Sequence, residues 1–164
     1  MKTILIGLVC LLPFGVSGAE DFPVTHFSTP PAMHQLWLTP AVKSRLQAIL
    51  GHPYPGLRVR YWESGGKTAW VLDETGKEQP ITAGIVIKQG KVESLEILAY
   101  RESRGSEVQQ SFFTHQFEQA ALDRRDALDK KVDGISGATL SVSAVSRMAR
   151  AALALDAATR NGEP

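Results

Sequence analysis

The stretch Ile81-Thr82-Ala83-Gly84-Ile85-Val86-Ile87-Lys88-Gln89-Gly90-Lys91-Val92-Glu93-Ser94-Leu95-Glu96-Ile97-Leu98-Ala99 decides the fold. Ile81, Ala83, Ile85 and Ile87 recur at every second position, Gln89-Gly90 turns the chain, and Leu95, Ile97 and Ala99 return on one face. Such alternation on both sides of a two-residue turn predicts a β-hairpin with one buried face. Upstream, Leu57, Val59 and Tyr61 alternate with Arg58, Arg60 and Trp62. Ser64-Gly65-Gly66 then turns into a second strand around Ala69 to Leu72, and Asp73 to Gly76 turns again. Thr39-Pro40 starts a helix, with Thr39 as N-cap, and Gly51 ends it ahead of Pro53 and Pro55. Downstream, Val108, Phe112, Phe113, Gln116, Phe117 and Ala120 fall at helical spacing. So do Val142, Val145, Ala149, Ala152 and Leu153. Hairpins followed by helices predict an α+β class, a small antiparallel sheet of hairpins packed with helices in a single domain.

The N-terminus carries the three parts of an export signal. Lys2 is the positive start, Ile4 to Phe14 the apolar run, and Ser17-Gly18-Ala19 a small-residue cleavage site. The run is short for a membrane-spanning helix, which needs roughly 20 residues. Residues 1–19 therefore read as a signal peptide and the protein as periplasmic, with a retained, membrane-associated anchor as the alternative. Residues 20–38, with Pro23, Pro30 and Pro31, read as an extended N-terminal arm, 39–156 as the folded domain and 157–164 as a flexible tail.

Composition excludes several functions. The one cysteine, Cys10, lies in the signal, so the processed chain offers no disulfide, thiol catalyst or cysteine-bound cluster. Eighteen basic against seventeen acidic residues, with no basic stripe, argue against nucleic acid. His26, His34, His52 and His115 show no metal-ligand spacing, and no metal site is expected. Around Ser136 the Gly-x-Ser-x-Gly spacing of a hydrolase is not met. No catalytic residue is assigned.

Just before the last helix stands Asp133-Gly134-Ile135-Ser136-Gly137-Ala138-Thr139-Leu140-Ser141. A phosphoester needs a hydroxyl nucleophile, and Gly137 and Ala138 leave the backbone open to a bulky group. Thr139 falls at or just before a helix N-terminus, where unpaired N–H groups and the dipole favour phosphate. The same residues would also serve as a plain turn and cap.

The string resembles the attachment motif of the FMN-binding domain family, Asp-x-x-Ser-Gly-Ala-Thr-x-Ser/Thr. That family includes the covalent-flavin subunits of sodium-pumping NADH:quinone reductase and of Rnf complexes. Asp133, Ser136, Gly137, Ala138, Thr139 and Ser141 fill its fixed positions. The similarity runs from about Ile81 to Leu153. It takes in the loop Tyr100-Arg101-Glu102-Ser103-Arg104-Gly105 and the Phe113, Gln116, Phe117 element. Where relatives have a loop richer in proline and glycine, this chain has Arg104.

The resemblance implies an FMN bound covalently through Thr139, attached by a separate flavin transferase using Mg²⁺, and membrane-bound redox proteins as electron partners. It places Ser136, Gly137, Ala138 and Ser141 around the phosphate. Asp133 either shapes the turn or serves the transferase. Glu102 and Arg104 line the flavin edge or neutralise its phosphate, or are solvated loop charges. Gln116 bonds the flavin or only the backbone, and Phe113 and Phe117 are core residues or stack on the ring. The expected function is electron carriage. A flavin-dependent periplasmic reductase and a flavin-free interaction module are the rivals.

Overall fold

The computed structural model describes residues 17–161. The predicted Lys2 start and the apolar run from Ile4 to Phe14 lie outside them.

Five strands form one antiparallel meander in the order β1 (Ala32–Trp37), β2 (Arg58–Ser64), β3 (Lys67–Thr75), β4 (Pro80–Lys88) and β5 (Lys91–Ala99). Around them lie α1 (Ser17–Thr25), α2 (Pro40–Leu50), the four-residue α3 (Ser111–Thr114) and α4 (Thr139–Arg160). The α+β expectation holds.

Two tight hairpins set the register. Gly65 and Gly66 have φ of 58° and 75°, and Gln89 and Gly90 have 52° and 73°. Successive positive φ values give the turn whose twist suits paired strands. Helix α2 behaves as its sequence says. Thr39 Oγ1 accepts from the Val42 N–H at 3.2 Å, and Gly51 closes the helix at φ 83°.

The main core lies between one sheet face and the helices α2 and α4. Trp70, Leu72, Ile81, Ile85 and Ile87 meet Val145, Met148, Ala149, Ala152 and Leu155, all buried. Small residues on α4 let the 22-residue rod lie close to the sheet.

Several expectations change. Strand β4 is buried on both faces, not one. Its second face is covered by the segment expected to be an extended arm. Residues 17–25 are α1, whose Phe22 seals a small cluster with Ala69 and Val86. Residues 32–37 of the same arm are β1, paired to β2 at one edge of the sheet. Of the residues read as a flexible tail, 157–160 belong to α4, which runs to Arg160 and buries Ala158.

Asp73, Glu74 and Thr75 continue β3 instead of turning, paired with Thr82, Ile81 and Pro80. The helix expected over Val108 to Ala120 breaks into a 3₁₀ turn (Ser106–Gln109), α3, and a second 3₁₀ turn (His115–Phe117). The cause is a competing tie to the sheet. Gln119 N–H donates to Val92 O at 2.8 Å and Val92 N–H donates to Ala120 O at 2.9 Å, with Gln119 at φ 63°. A continuing helix could not make these bonds.

The fit of α1 gives a test. A Cβ on Gly84 would come within 2.6 Å of the Phe22 ring, so Gly84 is the hole that the ring fills. Phe22→Ala should cost about 3 kcal/mol in urea unfolding, the usual scale for a buried Phe. Gly84→Val should also destabilise, and the two changes together should cost less than their sum. Wild-type midpoints in both variants would mean that α1 is not seated there.

Candidate functional site

Three segments meet at one end of the sheet: the β3–β4 loop, the chain after β5, and the start of α4. They enclose a cleft of about 350 Å³ lined by Lys77, Glu78, Glu102, Ser103, Arg104, Gly137, Ala138, Thr139, Leu140 and Ser141.

The turn before α4 is built by Gly137. Ala138 N–H donates to Ile135 O at 3.0 Å, and Gly137 sits at φ 80°, a conformation that a side chain disfavours. Ala138 is the N-cap and has no side chain to accept a bond, so the helix start is uncapped. The first-turn N–H groups of Thr139, Leu140 and Ser141 are left for an outside acceptor. Thr139 itself is exposed. Two residues on, Ser141 is buried, with its Oγ 3.0 Å from the Tyr100 hydroxyl, which donates to the Arg104 carbonyl. Gly105 makes that approach possible. A Cβ there would lie 2.8 Å from the Tyr100 hydroxyl and 3.0 Å from Ala138 Cβ.

The opposite wall is clamped twice. Glu102 Oε1 accepts from the N–H groups of Lys77, Glu78 and Gln79 at 2.5, 2.7 and 3.0 Å. Bonds from Gln79 and Glu78 hold this carboxyl below the usual carboxylate range. At the end of β3, Arg147 of α4 donates to buried Glu74 at 2.9 Å and to the Thr75 carbonyl at 3.3 Å. His52 faces the same Glu74 carboxylate at 3.1 Å and donates through Nδ1 to the Pro53 carbonyl. The Pro53 bond and Glu74 together raise the His52 pKa.

Of the residues to which the sequence points, the cleft gathers Glu102, Arg104, Gly137, Ala138, Thr139 and Ser141. Ser136, Asp133 and Gln116 stand outside its lining. Ser136 is an exposed residue of the turn. Asp133 is exposed beside Lys131, at 3.6 Å. Gln116 serves the backbone, its Oε1 accepting from the Asp133 N–H at 2.7 Å. Phe113 and Phe117 are fully buried, edge to face at 5.4 Å, and cannot stack on a ligand. Lys77, Glu78, Ser103 and Leu140 are cleft residues that the motif did not name.

Residues 76–154 match the FMN-binding domain family. That span, just under half of the chain, is an FMN-binding domain. The matched span takes in the whole lining of the cleft and agrees with the similarity seen from Ile81 to Leu153. No curated protein matches the sequence. As an FMN-binding domain the protein is a flavin binder, and the cleft suits the phosphate end of the cofactor. An uncapped helix start, Lys77 and Arg104 offer positive potential, while Glu102 is occupied by the loop. The ring end finds one large apolar side chain in the lining, Leu140, which is 52% exposed.

The Glu102 clamp is testable. Its carboxylate hold is present above the ordinary glutamate range and is lost as pH falls through the lowered value. In Glu102→Ala the amide protons of Lys77, Glu78 and Gln79 should exchange at least about tenfold faster at neutral pH, as expected when a charge-assisted bond is lost. Unchanged exchange rates would show that the loop stands without it.

Proposed function

We propose that the protein is an exported electron carrier with FMN esterified to Thr139. The observation that carries this reading is the placement of Thr139. An exposed hydroxyl sits at the uncapped N-terminus of α4, inside a cleft that also presents Lys77 and Arg104. Phosphate at such a position gains from first-turn N–H groups and the helix dipole.

In this reading a flavin transferase, with Mg²⁺, makes the bond. The Thr139 oxygen loses its proton and joins the phosphorus of an activated flavin nucleotide, whose leaving group departs. Gly137 and Ala138 give that enzyme a bare approach, and Ser141, held by Tyr100, braces the first turn of α4. Ser136, exposed in the turn, and Asp133, exposed ahead of it, are surface for recognition by the transferase. Once bound, the flavin accepts or passes on one or two electrons. The domain's own part is to hold the phosphate and leave the ring edge accessible to membrane-bound redox proteins. Export follows from the signal over residues 1–19. Cleavage after Ala19 falls within the first turn of α1 and leaves Phe22 on the processed chain.

Intact-mass spectrometry of protein made together with a flavin transferase tests the proposal. The expected product starts at Glu20 and carries one FMN. Thr139→Ala should carry none, with the fold intact by circular dichroism, and Thr139→Ser should restore part of the addition. Flavin surviving denaturation in Thr139→Ala, or bare polypeptide in the wild type, would refute the attachment.

A further inference from the structure

The second face of the sheet is covered unevenly. Helix α1 lies over strands β3 to β5, with Phe22 against Gly84. Among the described residues no helix covers β1 and β2. Their register sets Met33 opposite Trp62, Gln35 opposite Arg60 and Trp37 opposite Arg58. Residues directly opposite in an antiparallel pair share a face, as do residues two apart along a strand. These six side chains therefore form one surface.

Its chemistry is unusual for a water-facing sheet. Met33 is 52% and Trp37 56% exposed. Arg58 and Arg60 are exposed, and Trp62 is half-buried at the border with the α1 cluster. The Arg58 guanidinium lies 5.5 Å from the Trp37 ring centroid. Neither arginine has a carboxylate partner among the described residues. On the same face of β3, Asp73 is turned to Thr82 and Lys67 is paired with Glu93. The patch thus has apolar side chains at both ends, with Arg60 between them and Arg58 beside Trp37.

We propose that this face rests on an anionic lipid surface. Indole rings favour the boundary between headgroups and acyl chains, and a guanidinium binds phosphate oxygens in a fork. Unpaired arginines beside exposed Trp37 and Met33 match both demands at once. The flavin cleft shares no lining residue with the patch. The inference does not depend on the flavin reading.

Co-sedimentation of the processed chain, from Glu20 onward, with vesicles tests it, comparing phosphatidylcholine alone with phosphatidylcholine containing phosphatidylglycerol. Wild type should bind the anionic vesicles more tightly, and added salt should weaken that preference. Arg58→Gln and Arg60→Gln should each reduce anionic binding roughly fivefold, the scale for one basic residue near such a surface. Trp37→Ala should weaken binding to both compositions. Circular dichroism separates misfolding from lost binding, and the FMN mass increment is unaffected in all three variants. Equal binding of wild type and the arginine variants to anionic vesicles overturns the proposal. So does an arginine-dependent complex with an acidic protein while vesicle binding is unchanged.

Discussion

The place of Thr139 is fixed by the axial register of α4 on the sheet. Much of the face that α4 buries is alanine, including Ala144, Ala151, Ala152, Ala154 and Ala158. So smooth a face packs closely but resists sliding weakly. Polar ties spread along the helix supply the resistance. Near the far end, buried Asp156 accepts from Thr68 at 2.7 Å, Thr68 accepts from the Trp70 indole at 2.9 Å, and Arg160 lies 2.7 Å from the same carboxylate. Burial pushes the Asp156 pKa up, while Thr68 and Arg160 oppose it. Further along, Arg147 holds Glu74 and Thr75, and at the start Ser141 meets Tyr100. A slip of one turn, about 5.4 Å, would break all three ties. It would take Arg147 from buried Glu74 and Thr68 from buried Asp156, leaving them only His52 and Arg160. The cleft is thus placed by contacts up to roughly 22 Å along the helix from it.

The same second face of the sheet explains two misreadings together. Strand β4 looked one-sided because Thr82, Gly84 and Val86 do not stand out as a second apolar face. Helix α1 was hidden because it is short and contains Pro23, which argues against a helix interior. Each makes sense only with the other, since the Gly84 gap exists for the Phe22 ring. Strand β1 left little trace for a related reason. Leu36 is its one buried residue, so the half-buried alternation that marks a strand is missing. In β3, Asp73-Glu74-Thr75-Gly76 has the composition of a turn. Glu74 can be buried in a strand because His52 and Arg147, 22 and 73 residues away, neutralise it. Pairing at that range has no local signature.

At the candidate site, local chemistry was legible and long-range assembly was not. The turn and helix start could be read from Gly137, Ala138 and Thr139, because each acts through its own backbone or hydroxyl. Lys77 and Glu78 reach the cleft only through the β3–β4 loop, which a separate contact with Glu102 holds in place. Glu102 belongs to the cleft wall as expected, yet its charge is spent on backbone N–H groups. Gln116 and Asp133 are joined to one another through the Asp133 N–H. They fix the approach to the motif and do not line the cleft.

The geometry also gives a reason for a covalent link in the proposed carrier. A phosphate at a helix start gains at most about 2 kcal/mol from the dipole. Exposed cations such as Lys77 and Arg104 add about 1 kcal/mol or less each. Leu140, more than half exposed, offers about 1 kcal/mol of apolar contact. The total is on the order of 5 kcal/mol, against about 8 kcal/mol for micromolar binding. A flavin held by these contacts alone would be lost on dilution outside the cytoplasm. The feature that makes the grip weak, an open cleft lined by no aromatic side chain, is also what an attaching enzyme and a redox partner require. A deeper pocket would retain free FMN better and would hide both the Thr139 hydroxyl and the ring edge.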